Sequence, residues 1–356
     1  MFAISKSPVA FCPCAAICFS IPFKITGSIP VCPVSYPKVT FRISYSDSIM
    51  LLGSCFVENM GNRLEQYKFK TDINPFGTLY NPLSIASSIE RLISPVEFTA
   101  DDLFQSGGQF HSFQHHSRFS ASSVEETLAL MNTRLSSSAR FFSQCSCLLV
   151  TFGTAWVYRL RKTGKVVANC HKLPESEFIR ERLTPEQIVN VWKDLLERIY
   201  RNHPGIRVLF TVSPIRHWKD GAHGNQLSKA VLLLAIDALC EYFPALQCDY
   251  FPAYEIMMDE LRDYRFYAED MIHPSSTAVS YIWEKFLENK VAPQSMEIMK
   301  SCKEKQKAVE HRPFNPQSAA YRQFIIQTLL KIERLNDKFP YFDFSKEKEY
   351  LNSKLK

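Results

Sequence analysis

The sequence predicts an α/β domain whose parallel strands are covered by helices on both faces. Three observations carry this. Short apolar runs alternate with helix-period stretches from residue 41 to about residue 290. Three of the apolar runs stop at loops dense in functional groups: GSC, FGTAW and VSPIRH. Hydrophobic residues make up 46% of the 356-residue chain and charged residues 22%, which is enough apolar content for a large core. Strands and helices that alternate in this way form a parallel sheet with helices on both sides. Ligands of such sheets bind beyond the carboxyl ends of the strands, where the three loops lie.

The elements follow in order. SIMLLG (48–53) is a buried strand, and FVENMGNRLEQY after it is a helix with apolar residues at 56, 57, 60, 64 and 67. NPFGTLYNPLSI (74–85) is a loop rich in Pro, Gly and Asn that leads into a helix ending near Ile93. SVEETLALMNTRL (123–135) is helical, with Ser123 as its cap and Glu126 at capping-box spacing. SCLLVTFG (146–153) is the second strand and again stops at a glycine. TPEQIVNVWKDLLERIY (184–200) is a helix, capped by Thr184 with Pro185 at its first position. IRVLFTVSP (206–214) is the third strand, QLSKAVLLLAIDAL (226–239) a helix, and a fourth strand lies around 247–251. HPSSTAVSYIWEKFLE (273–288) holds the last helix of the domain. Residues 291–356 form a helical C-terminal extension around YRQFIIQTLLKIERL, a solvated helix packed on the domain.

Charge excludes little. The 42 Lys+Arg against 36 Asp+Glu leave +6, which over this length describes a mildly basic surface and not a nucleic-acid footprint. No run of 18 apolar residues exists, so no membrane-spanning helix is expected. The 11 cysteines include no CxxC pair and no Cys/His spacing that fits zinc, so no metal site is predicted. Scattered thiols of this kind suit a reducing compartment. Residues 1–40 hold three lysines, six prolines and no acidic residue. They read as a disordered or spurious extension, which leaves the protein cytoplasmic. The alternative is a genuine signal sequence, with export, although Pro8, Pro13 and Pro22 interrupt its apolar stretch.

The chemistry concentrates at two places. LLGSCFVENMG (51–61) sets Ser54 and Cys55 on the turn between a strand and a helix. There the helix N-terminus favours a thiolate or an oxyanion. DMIHPSS (270–276) supplies Asp270 and His273 three residues apart, about one helical turn. Pro274 disfavours helical geometry at His273, which leaves the imidazole on a loop. The carboxylate can fix its tautomer and steady the imidazolium.

With these residues in place, the chain resembles the SGNH/GDSL hydrolases, and more closely the GSCFA family within them, named for the stretch at 53–56. NPFGTLYNP (74–82), HSFQHHSRFS (111–120), TFGTAWVY (151–158), NCHKLPESEF (169–178) and TVSPIRH (211–217) look like motifs of the same family. The resemblance covers roughly residues 41–290. It implies a three-layer α/β/α sandwich with a flavodoxin-like parallel sheet. It also implies hydrolysis or acyl transfer at the ester bond of a small-molecule or carbohydrate substrate, without a cofactor.

The carry-over leaves alternatives open. The superfamily's Gly-Asp-Ser aligned on Gly53 puts Ser54 at the Asp position and Cys55 at the nucleophile position, so register favours Cys55 and usual chemistry Ser54. Gly77 matches the oxyanion glycine. The Gly-x-Asn-Asp block reads Gly153, Thr154, Ala155, Trp156 here, and Asn74 or Asn169 is expected to replace the missing Asn donor. His171 is expected to line the pocket. His111, His115 and His116 read as lid or loop residues, Cys170 as a second candidate thiol, and Arg216 with His217 as a surface pair on the active edge, with binding of a substrate carboxylate or phosphate as the alternative. The rival readings are a non-catalytic binding module on the same fold and a basic nucleic-acid-associated protein using KEKQK near residue 305.

Overall fold

Strand residues alternate strictly between two cores. On one face Met50, Leu52, Leu148, Val150, Phe152, Val208 and Phe210 point into one apolar cluster. On the other, Ile49, Leu51, Cys147, Leu149 and Leu209 point into a second. A period of two with both faces buried is what a parallel sheet between helical layers requires.

The computed structural model describes residues 24–26, 29–31, 33–36, 40–244, 247–311 and 313–355. In chain order the elements are β1 (Lys24–Thr26), β2 (Ile29–Val31), β3 (Ser48–Gly53), α1 (Cys55–Gln66), β4 (Lys70–Ile73), α2 (Pro82–Ile93), β5 (Phe104–Ser106), β6 (Gln109–His111), α3 (Val124–Phe142), β7 (Cys147–Phe152), β8 (Trp156–Leu160), β9 (Val166–Val167), β10 (Phe178–Arg182), α4 (Pro185–Asn202), β11 (Arg207–Val212), α5 (Gly221–Tyr242), β12 (Cys248–Phe251), the single turn α6 (Ala253–Glu255), α7 (Ser276–Lys290), α8 (Pro293–Glu310), α9 (Ala319–Lys338) and α10 (Ser345–Ser353).

The central sheet runs β12-β11-β7-β3-β4, parallel throughout. Counting its strands along the chain, the order is 2-1-3-4-5, the flavodoxin-like arrangement. Helices α2 to α5 cover the face of the first core, with Ile89, Leu135, Trp192 and Leu232 buried in it. Helices α1 and α7 cover the other, through Phe56, Val57, Ile282 and Phe286. Met299 of α8, Ile325 and Ile332 of α9, and Leu351 of α10 enter that second core. The result is a three-layer α/β/α sandwich whose C-terminal helices add to one layer.

Several expectations change. The sheet has five strands where four are expected. The added strand, KTDI at the edge, has one buried residue among four and offers no apolar run to read. A second, antiparallel sheet, β10-β8-β9, stands outside the βαβ pattern. Helix α5 starts at Gly221, ahead of the expected 226. The C-terminal region holds three helices where one is expected, because the Lys/Glu-rich segments on either side of α9 also coil. The residue 1–40 extension, its signal-like stretch and Cys12, Cys14, Cys18 and Cys32 lie outside the described residues for the most part. Among the described residues, no helix is long and apolar enough to cross a membrane.

Candidate functional site

The turn after β3 is built by close approach. Gly53 has φ +141°, and a Cβ there would stand 2.2 Å from the Thr151 carbonyl oxygen of the neighbouring β7. Only glycine lets the chain leave the sheet so tightly. Ser54 then sits at the N-cap of α1 in extended geometry, and Cys55 is the first helical residue. Ser54 is 1% exposed, and its Oγ neither caps the helix nor finds any other partner among the described residues. Cys55 is partly exposed. Burial raises its thiol pKa above the ordinary value, while hydrogen bonds from the N–H groups of Cys55 and Phe56 pull the other way. A thiol of this kind rests protonated and needs a base.

The base candidate is held by its own loop. Asp270 Oδ1 accepts from the N–H groups of Ile272 and His273, both at 2.9 Å, and Asp270 Oδ2 lies 2.5 Å from His273 Nδ1. Met271 takes φ +57° to close this turn, and α7 begins only at Ser276, so the imidazole stands ahead of the helix. The N–H groups of His273 and Ile272, and then the imidazole, hold the Asp270 carboxyl down to about 2. The dyad is open to solvent, with side-chain exposure of 52% for His273 and 47% for Asp270.

Cys55, Ser54 and His273 line one cleft of about 510 Å³ at the carboxyl ends of the strands. The two loops, some 218 residues apart along the chain, are thus brought to one rim. Trp156, Asn169 and Cys170 line the same space. Burial pushes the Cys170 thiol up to about 11.

Other expected pocket residues serve the scaffold. Gly77 has φ +83°, its N–H donates to the Asn74 carbonyl at 2.8 Å, and it does not line the cleft. Its N–H is thus committed to the turn that Asn74 opens. Gly153 likewise spends its N–H on the Tyr80 carbonyl at 2.8 Å. Asn74 is 1% exposed and accepts from the Gly53 N–H at 2.9 Å, while its amide donates to Glu58 at 3.1 Å. It braces the turn and does not line the cleft. Asn169 does reach the cleft, with its Oδ1 accepting from the His171 N–H at 2.8 Å. His171 itself lies behind the wall. Its Nε2 pairs with the Ser112 carbonyl at 2.8 Å, and its ring lies against His111. Of the three clustered histidines, His116 lines the cleft, whereas His111 pairs with Ser120 and Ser106, and burial drives His115 down to about 3.

The sequence reading missed Lys229. Its Nζ donates to the carbonyls of Gly153 at 2.7 Å and Ser213 at 2.8 Å, joining the loops that follow β7 and β11. Complete burial lowers its pKa to about 7, opposed by attraction to Cys55. A signal was available: Asn225, Ser228, Lys229, Leu232, Ala235, Ile236 and Leu239 form the buried stripe of α5, and the lysine falls inside it. Burial, helped by Lys229, also lowers His217 to about 4, so that imidazole is neutral at the cleft wall. Among the described residues, no group of three His, Cys, Asp or Glu side chains is placed to hold a metal ion.

The GSCFA family model matches residues 48–286, and the model for the C-terminal domain of GSCFA domain proteins matches residues 306–356. Comparison with curated proteins returns no match. Among solved structures, the chain is similar to a candidate acylhydrolase of Bacteroides fragilis at 11% identity. That likeness covers 74% of this chain and 92% of the other, with a TM-score of 0.36, too low to bear on activity. With a match that runs from the first residue of β3 into α7 and resumes in α8, the chain belongs to the GSCFA family.

Proposed function

We propose that the protein cleaves or transfers acyl groups at ester bonds, with Cys55 as nucleophile, His273 as general base and acid, and Asp270 as the residue that orients His273. The observation that carries this reading is the single cleft lined by Cys55 at a helix N-terminus and by a histidine whose Nδ1 is committed to a carboxylate at 2.5 Å.

The steps balance without a cofactor. Cys55 Sγ attacks the ester carbonyl carbon as its proton passes to His273 Nε2, and the oxyanion is held by the N–H groups of Cys55 and Phe56. The intermediate collapses, the C–O bond breaks, and the leaving alkoxide takes the proton from His273. Water or an acceptor alcohol then attacks the thioester, gives its proton to His273, and releases the acid or new ester while Cys55 recovers its proton. Ser54 is the less suited nucleophile because its Oγ is closed off from solvent.

The test is turnover of p-nitrophenyl acetate, with active-site labelling, by Cys55→Ala, Ser54→Ala and His273→Ala. Loss of turnover in Cys55→Ala and His273→Ala, and loss of labelling in Cys55→Ala, are expected. Unchanged labelling and turnover in all three variants would refute the site.

One observation favours the binding-module reading. Gly77 and Asn74, two expected sources of oxyanion donors, both have their donors engaged. That reading expects no turnover and an unlabelled Cys55.

A further inference from the structure

We infer that the cleft takes an anionic substrate, an ester whose acyl or alcohol part carries a carboxylate or phosphate, and that Arg216 binds that group beside His273. The inference rests on the hydrolase reading only for the word ester; the anion subsite stands on its own observations.

The first observation is charge imbalance. Three guanidinium or ammonium groups line the cleft: Arg180, Arg216 and Lys219. Arg180 is held by Asp220 through two contacts of 2.6 Å, and Lys219 pairs with Glu175 at 2.7 Å. Asp220 is the carboxylate among the lining residues, and it is already committed to Arg180. Arg216 has no carboxylate partner among the described residues. A cation left uncompensated in a concave wall attracts an anion.

The second observation is preorganisation. Arg216 Nη2 donates to the Met271 carbonyl at 3.0 Å, and the guanidinium stacks over the rings of Trp218 and Tyr267 at 5.1 and 4.7 Å. Its Nε is buried without a partner among the described residues. The planar fork is therefore fixed before any ligand arrives, with Nη1 left uncommitted, which reduces the ordering cost of a charge-assisted contact. Met271 lies between Asp270 and His273, so an anion on Arg216 sits next to the catalytic loop. The surface pair expected from the sequence is thus divided. His217 is neutral and packs edge-on to Tyr80, and the free cation is Arg216 alone.

The test compares two probes of similar size, mono-p-nitrophenyl succinate and p-nitrophenyl butyrate. The wild-type chain is expected to prefer the succinate in kcat/KM by at least about tenfold. The preference should shrink with rising ionic strength. Arg216→Ala is expected to abolish the preference, and Arg216→Lys to keep part of it, since charge survives without the fork. Because Arg216 also braces Met271, both rates can fall together; an unchanged ratio would leave it a brace only and overturn the inference. If Arg216→Ala does not fold, the lysine variant and the salt series decide the same ratio. Competition by succinate against inorganic phosphate assigns the anion. Should no ester turn over, calorimetry with succinate and phosphate separates the two ideas. Binding weakened in Arg216→Lys and lost in Arg216→Ala keeps the anion subsite and rejects the hydrolase, and no Arg216-dependent binding rejects the subsite.

Discussion

Lys229 reaches the Gly153 carbonyl at 2.7 Å from a side chain that is 1% exposed, and in doing so ties the loop after β7 to the loop after β11 through Ser213. Two acceptors match the two N–H groups of a neutral amine as well as they match an ammonium. The unfolded chain holds this proton up to about 10.5, whereas burial lowers the folded group to about 7. Below pH 7 both states bind the proton. Between pH 7 and 10.5 the unfolded state binds one more, so stability rises with pH there, by at most about 1.4 kcal/mol per pH unit. Denaturation midpoints from pH 6 to 10 should climb in the wild type relative to Lys229→Met. Parallel curves would show that Lys229 titrates normally.

Asn74 tests whether an expected donor is scaffold. Its Oδ1 holds the buried Gly53 N–H, and its φ of +44° suits asparagine better than alanine. Asn74→Ala should cost about 2–4 kcal/mol, the sum of one unsatisfied buried N–H and left-handed strain, read by urea denaturation. A loss of activity at full stability would instead return Asn74 to the oxyanion site.

Gly53→Ala should be harsher. The new Cβ meets a backbone carbonyl, and a strand in mid-sheet cannot retreat. Destabilisation beyond about 3 kcal/mol, or failure to fold, is expected in thermal melts. A stable Gly53→Ala would mean that β3 and β7 sit farther apart than described.

Asp270→Asn isolates orientation. The carboxyl is held down to about 2, so it stays ionised throughout the working range. Its contribution to stability is full above its unfolded value of 3.8 and fades as pH falls towards 2. Asparagine keeps an oxygen for the two backbone N–H groups but cannot steady an imidazolium. A kcat drop of about 10²–10⁴ with little change in melting temperature is expected. The wild-type pH–rate profile should show no limb from Asp270 above about pH 3. Full activity in Asp270→Asn would remove it from the mechanism.

The legible parts of the sequence were those where one pattern had no competitor. Gly53 after an apolar run, with a helix period starting at once, could only be a strand-to-helix turn, and Pro274 kept His273 off a helix. KTDI was illegible because an edge strand with one buried side chain has no apolar signature. In β8 and β10, arginine and glutamate stand on paired strands, and the Arg159–Glu181 bridge that reconciles them is invisible before the strands are aligned. Gly77 and Asn74 look like donors in the sequence because sequence gives residue type and not the partner already taken. Lys229 is hidden in the sequence because lysine signals surface unless the helical stripe is traced through it.

The state of the Cys55 thiol decides whether the dyad has work to do. Burial raises its pKa, and the N–H groups of Cys55 and Phe56 only partly offset that. A resting thiolate would react with an electrophile unaided, whereas a resting thiol needs a base as the bond forms, the role that the proposed mechanism gives to His273. Iodoacetamide labelling of Cys55, followed by mass spectrometry from pH 6 to 10, should rise with a midpoint above the ordinary value of 9.0, while p-nitrophenyl acetate turnover reaches its plateau at lower pH. The gap between the two curves measures the proton transfer that His273 supplies within the bound complex. His273→Ala should leave the labelling curve in place and abolish the turnover plateau. A labelling midpoint near or below 7 would mean that Cys55 is ionised in the free protein, and His273 would then act only as the acid that protonates the leaving group.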